Sequence, residues 1–215
     1  GAGALAHDLS GYGHDGTLTG MDPPTDWVAT EMGRALAFNG STDYVLCPNM
    51  TELEGQAEVT LFFLAMRTSA SNYRQYYHTT LDATHRMFAQ NGTGNPTRIY
   101  ATIANGTNAF GYTGAVLPTG IWHSIAIAFN GGGTANADRL KIFYNGMPET
   151  LTFSGTLPAT TPTTGNSFAL GNVEAGSNAW PGPMALAIAW TRVLLAGEIA
   201  SLAADPFCMI RPRRV

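Results

Sequence analysis

The chain has 215 residues, a net charge of -4 and only 12% charged residues, about half the usual share. Its 45% hydrophobic content excludes a disordered chain, and a single lysine among 25 glycines and 12 prolines excludes a coiled coil. No apolar run reaches the roughly 18 residues of a helical membrane span, and the mild negative charge argues against a broad nucleic-acid-binding surface, so neither partner is expected.

The chain opens at Gly1 with neither Met nor a signal-peptide pattern, which reads as a processed product or a fragment. Five Asn-Gly steps then punctuate it, beginning at Asn39, Asn91, Asn105, Asn130 and Asn145. Asn tolerates left-handed backbone and Gly adopts it freely, so these steps suit hairpin turns. Strand chemistry fills the intervals: 34–38, 43–47, the longer apolar run 59–67, then 73–79, 85–90, 97–104 and 108–113. Residues 121–129 alternate, with Ile121, His123, Ile125, Ile127 and Phe129 on one face. Strands at 140–144, 150–153, 167–170 and 184–190 complete the set. In the last, Met184, Leu186, Ile188 and Trp190 form a large-residue face, and Ala185, Ala187 and Ala189 a small one suited to a covering layer. One helix is expected over 197–204, with Ile199 and Leu202 at i, i+3 and a stop at Asp205-Pro206. The Pro- and Thr-rich 156–164 reads as a surface loop.

About twelve short, turn-bounded strands predict an all-β, two-sheet antiparallel sandwich with one short C-terminal helix. One domain is expected over 1–206, followed by a basic tail over 207–215 that carries Arg211, Arg213 and Arg214. Cys47 and Cys208 form no disulfide framework; two buried free thiols are the preferred reading, and a single bridge is the alternative.

Five segments in order carry a resemblance: DLSGYGHDGTL (8–18), GRALAFNGSTDYV (33–45), IWHSIAIAFNG (121–131), LKIFYNG (140–146) and GPMALAIAWTRVLLAGEIASLAADP (182–206). Together they resemble a laminin G-like domain of the concanavalin A-like lectin/glucanase superfamily, which implies a jelly-roll sandwich. The ending DPFCMIRPRR also resembles that of such domains in tailed-bacteriophage structural proteins, which implies a virion or other extracellular setting and a multimeric assembly. Family members begin with a strand ahead of the DLSG turn. Only residues 1–6 precede it here, so a preceding segment or a neighbouring chain is expected to complete that edge. Relatives often hold calcium near the last strand, where this chain has Ala185-Leu186. Asp8 and Asp43, with Asp15, remain as weak calcium candidates; otherwise no cofactor is expected.

Superfamily glucanases place carboxylates on one strand as Glu-x-Asp-x-x-Glu. Glu52, Glu54 and Glu58 come nearest and read as a solvated turn, so no enzyme activity is expected. The Gly-rich 130–136 joins two strands and precedes no helix, so it makes no phosphate cradle. His123 reads as a hydrogen-bonded interior group, and His7 and His14 as groups that orient the DLSG loop. The Asn-x-Ser/Thr triplets at Asn39, Asn49, Asn91 and Asn105 are mostly accounted for as turns. The segment 71–88 crowds Tyr73, Arg74, Tyr76, Tyr77, His78 and Arg86 together, and Trp180 lies on a loop near the last strand. Such residues suit sugar stacking, a protein interface or an ordinary strand pair alike. The reading that follows is a non-catalytic lectin-like module of a virion surface that binds host glycans. The alternative is a decoration protein that binds neighbouring virion subunits, with a glycoside hydrolase behind both.

Overall fold

The computed structural model describes residues 3–92, 94–172 and 178–210. In chain order the strands are β1 (Leu5–Ala6), β2 (Gly16–Thr19), β3 (Trp27–Thr30), β4 (Gly33–Asn39), β5 (Tyr44–Cys47), β6 (Glu58–Met66), β7 (Gln75–Asp82) and β8 (His85–Asn91). They continue as β9 (Ile99–Asn105), β10 (Phe110–Tyr112), β11 (Trp122–Asn130), β12 (Leu140–Tyr144), β13 (Met147–Pro148), β14 (Thr152–Ser154), β15 (Phe168–Leu170) and β16 (Pro181–Trp190). The helices are α1 (Pro23–Asp26), α2 (Asn136–Arg139) and α3 (Ala196–Ala204). A nine-stranded sheet runs β1-β2-β5-β15-β7-β8-β9-β10-β14, and a seven-stranded sheet runs β13-β12-β11-β6-β16-β4-β3. All pairings are antiparallel.

Alternation builds the sandwich. On β11, Ile125, Ile127 and Phe129 stand opposite Phe63, Leu61 and Val59 of β6 and enter the core between the sheets. The nine-stranded sheet meets them with Val45, Tyr77, Met87, Ala89, Ile103 and Phe168. The intervening Ala126 and Ala128 face outward, where they join Phe62, Leu64 and Phe143 in a second cluster under Ile199 and Leu202 of α3. Thr60 fixes this roof: its hydroxyl donates to the Arg192 carbonyl (2.8 Å) and accepts from the Leu194 N–H (2.9 Å).

The expected covering layer falls on the other side of β16. A bulge between Met184 and Leu186 shifts the register, so Met184 enters the inter-sheet core while Leu186 and Trp190 turn outward beneath α3. Ala187 and Ala189 are exposed. All five Asn-Gly steps end strands, and Asn145-Gly146 adopts left-handed backbone at both residues (φ 48° and 81°), the geometry of a tight hairpin. The Gly-rich 130–136 does run into a helix, against expectation, but α2 is one turn and Asp138 already accepts the Ala135 N–H. Cys47 is buried and Cys208 exposed, both unbridged, so only one thiol is an interior group as expected. The arginines of the tail, 211, 213 and 214, lie outside the described residues. Arg67, just past β6, is 1% exposed, and its guanidinium donates to the carbonyls of Pro96, Leu117 and Pro118. It thereby fixes the loops that flank β9 and β10.

Candidate functional site

The seven sequence-derived site residues divide. A bulge at the start of β7 places Tyr76 and Tyr77 both inward, and each is 0% exposed. Tyr77 stacks on Phe63 and Phe168 with ring centroids 5.5 and 5.2 Å away. The Tyr76 ring lies 4.2 Å from that of Trp180, which is also 0% exposed, and its hydroxyl is 2.9 Å from Nε2 of His123. These three aromatics are core, not a ligand platform, because the added residue of a bulge breaks the two-residue alternation that would have turned one tyrosine outward. His123 is the hydrogen-bonded interior group expected. Burial, offset in part by the bond to the Ile121 carbonyl, takes it down to about 4.

Tyr73 is 46% exposed on a loop in left-handed backbone (φ 60°). The buried Asn91 side chain holds that loop, donating to the Ser71 carbonyl and accepting from the Arg74 N–H. The Arg74 side chain reaches the Gly40 carbonyl at 3.3 Å. His78 and Arg86 lie elsewhere, on the outward face of the nine-stranded sheet.

Register assembles that face. Row by row across β7, β8, β9 and β10 stand His78, Phe88, Thr102 and Phe110, then Gln75, Gln90, Tyr100 and Tyr112. Arg86 lies beyond the first row, opposite Ala104, and Arg98 beyond the second, immediately before β9. Tyr100 stacks on Tyr112 at 4.7 Å and 10°, and lies 5.8 Å from Phe110; His78 lies 5.8 Å from Phe88. Arg86 and Arg98 each hold a guanidinium 5.2 Å from a ring centre, Phe88 and Tyr112 respectively. Arg86 also donates from Nη2 to Asn108 Oδ1 (3.0 Å). The Nε atoms of both arginines and Oε1 of Gln75 are buried without a hydrogen-bond partner among the described residues. Burial and the charge of Arg86 take His78 down to about 4, so it is neutral at pH 7. None of these outward paired positions is Asp or Glu. Gly92 lets the neighbouring loop close on this face, since a Cβ there would come 2.7 Å from the Tyr100 ring.

Phe88, Gln90, Arg98, Tyr100, Phe110 and Tyr112 were not singled out from the sequence. The signal was present in RIYATIA (98–104), where Arg98, Tyr100 and Thr102 alternate with Ile99, Ala101 and Ile103.

The acidic groups serve the loops. The Asp8 carboxylate accepts from the Ser10 N–H and hydroxyl and the His14 N–H; these bonds outweigh burial and hold it at about 2. Asp15 accepts from the Asp8 N–H and meets His7, and His14 meets Glu52, so both histidines orient the loop as expected. Asp43 accepts from the Asn39 N–H and the Thr42 hydroxyl, and burial raises it. Among the described residues no three His, Cys, Asp or Glu side chains gather as a metal-holding group. Glu54 is not simply solvated: its Oε1 accepts from the N–H and hydroxyl of Thr164 and the N–H of Gly165.

A family model described as Laminin_G_3, concanavalin A-like lectin/glucanases superfamily, matches residues 39–200. No curated protein matches. Among solved structures, the chain is similar to domain 4 of AbnA, a GH43 extracellular arabinanase from Geobacillus stearothermophilus, solved with arabinotriose. The two are 19% identical over 87% of this chain and 81% of that one, with TM-score 0.65. The CBM40 of the Ruminococcus gnavus IT-sialidase, solved with α2,3-sialyllactose, is 12% identical over 79% of this chain and 96% of its own, with TM-score 0.60. The binding domain of botulinum neurotoxin serotype G is 12% identical over 94% of this chain, with TM-score 0.67; the chain spans about half of that domain, 48%. These likenesses show the fold.

Proposed function

The chain belongs to the Laminin_G_3 family of the concanavalin A-like lectin/glucanases superfamily, and from that premise we propose that it is a non-catalytic carbohydrate-binding module whose ligand lies across β8, β9 and β10. One observation carries the reading. The outer face of the seven-stranded sheet is roofed by α3, while that of the nine-stranded sheet presents the partly exposed Tyr100, Phe110 and Tyr112 beside the half-buried Arg86 and Arg98, with Phe88, Gln75 and Gln90 buried among them. Aromatic faces take the apolar side of a sugar ring, and forked or amide polar groups take its hydroxyls. A glycosidase needs a pair of carboxylates flanking the bond to be cut, and the outward positions supply none. The sugars bound to the arabinanase domain and to the sialidase CBM40 support carbohydrate recognition on this kind of scaffold. The same proposal takes a virion or other extracellular surface as the setting, where many copies would add avidity to weak single sites.

The test is a glycan array and calorimetric titration of the chain beside Tyr100→Ala and Tyr112→Ala, with melting curves to confirm folding. Each variant is expected to weaken a bound glycan by about tenfold or more, about 1.4 kcal/mol. Binding unchanged in both, or no glycan bound and the face buried against another chain, refutes the proposal in favour of a decoration role.

A further inference from the structure

We infer that the ligand of the open face is an acidic glycan chain running along the strands from Arg86 to Arg98; this rests on the carbohydrate-binding reading and narrows it. Among the described residues no carboxylate pairs with the positive charge of this face, and the outward paired positions hold none. Both side chains are half-buried, each with an Nε that meets no acceptor. A cation withdrawn from water without an opposing charge loses hydration that the ring contacts, and for Arg86 the bond to Asn108, restore only in part. An arriving carboxylate or sulfate supplies the opposing charge from the exposed side of each guanidinium, the Nε atoms themselves being closed to it.

The geometry favours an anion that presents two oxygens side by side. Each guanidinium is held 5.2 Å from a ring centre, which restrains its donor fork, and a restrained fork recognises two oxygens of one acid group at once. Asn108 further restrains Arg86 from one side. Spacing then separates a chain from a single sugar. Arg86 stands opposite Ala104, and Arg98 lies six residues earlier on the same strand run, about 20 Å away at the usual rise per residue. Between them lie the Phe88–Phe110 row and the Tyr100–Tyr112 row. One acidic sugar reaches one arginine; a chain with recurring acid groups reaches both across the rings of Phe110, Tyr100 and Tyr112.

The experiment uses the full chain and two matched pairs of probes: polygalacturonate with its carboxyl-reduced polymer, and dextran sulfate with dextran. In at least one pair the acidic member should bind about tenfold or more tightly than its neutral partner, by a gap that narrows at high salt. Arg86→Gln and Arg98→Gln should each shrink that gap several-fold while the melting temperature holds. Arg86→Lys, which keeps the charge but not the fork, should restore it only in part. Equal binding within both pairs, or a gap that survives both glutamine variants, overturns the inference and leaves the carbohydrate reading standing. A gap that responds at one arginine alone overturns the spanning chain. No binding to any of the four probes overturns the inference, and the Tyr100→Ala and Tyr112→Ala comparison on neutral glycans then decides the broader reading separately.

Discussion

Removing one oxygen from Tyr76 and from Tyr77, each replaced singly by Phe, should move stability in opposite directions. Nδ1 of His123 lies 3.2 Å from the Ile121 carbonyl, which can only accept, so that nitrogen carries the proton. Nε2 is then the acceptor of the Tyr76 O–H at 2.9 Å. Tyr76→Phe strands that nitrogen in a fully buried site, at a cost of about 1–3 kcal/mol. The Tyr77 hydroxyl is equally buried but meets no partner among the described residues. Tyr77→Phe removes a group whose hydration was lost without return, and should gain about 1 kcal/mol. In a domain of this size 1 kcal/mol is about 2–4 °C, so the two midpoints should part by several degrees. Urea titrations with unchanged slopes would read the difference. Destabilisation by both variants, or a loss confined to Tyr77→Phe, would refute the hydrogen-bond assignment. Alanine at either site is uninformative about ligands, since it would cost about 3–5 kcal/mol of core packing.

Two further outcomes follow from burial. His123 titrates near 4 in the fold against an ordinary 6.5. Between those values the unfolded chain binds a proton that the native state refuses, so stability is complete above about pH 6.5 and is lost as pH falls toward 4, by about 3 kcal/mol for this group. Denaturation midpoints that stay flat from pH 7 to pH 4.5 would contradict the neutral buried imidazole. Burial also pushes the Cys47 thiol up to about 12, whereas Cys208 is exposed. A thiol reagent should therefore label Cys208 quickly in the native protein and Cys47 only on unfolding; rapid double labelling would contradict the position of β5.

The architecture was legible because its strongest strands alternate cleanly. Ile125, Ile127 and Phe129 point one way and Ala126 and Ala128 the other, and both faces are used as read. Asn-Gly corners gave the strand ends. The elements that went unread are those whose pairing, not their composition, makes them strands: Gly16–Thr19, Trp27–Thr30 and the two-residue β1 and β13. The two adjacent tyrosines were misread for a sharper reason. Tyr76 and Tyr77 look like a half-exposed strand pair only if β7 keeps its two-residue period, and a bulge removes that period where the aromatics sit. The same device on β16 exchanged the faces expected for Leu186 and Ala187. His78 and Arg86 face outward because they lie past the first bulge, where alternation holds. Their companions Tyr100, Phe110 and Tyr112 come from strands whose outward alternation is visible, but adjacency across β8, β9 and β10 is a property of the sheet order.

The most direct test of the central claim is amide NMR of the chain titrated with an oligosaccharide taken from the array. Shifts confined to β8, β9 and β10, around Phe88, Tyr100, Phe110 and Tyr112, with α3 and the 8–15 loop unmoved, are the predicted result. Perturbations centred on α3 or on the DLSG rim, with the open face silent, would contradict the account.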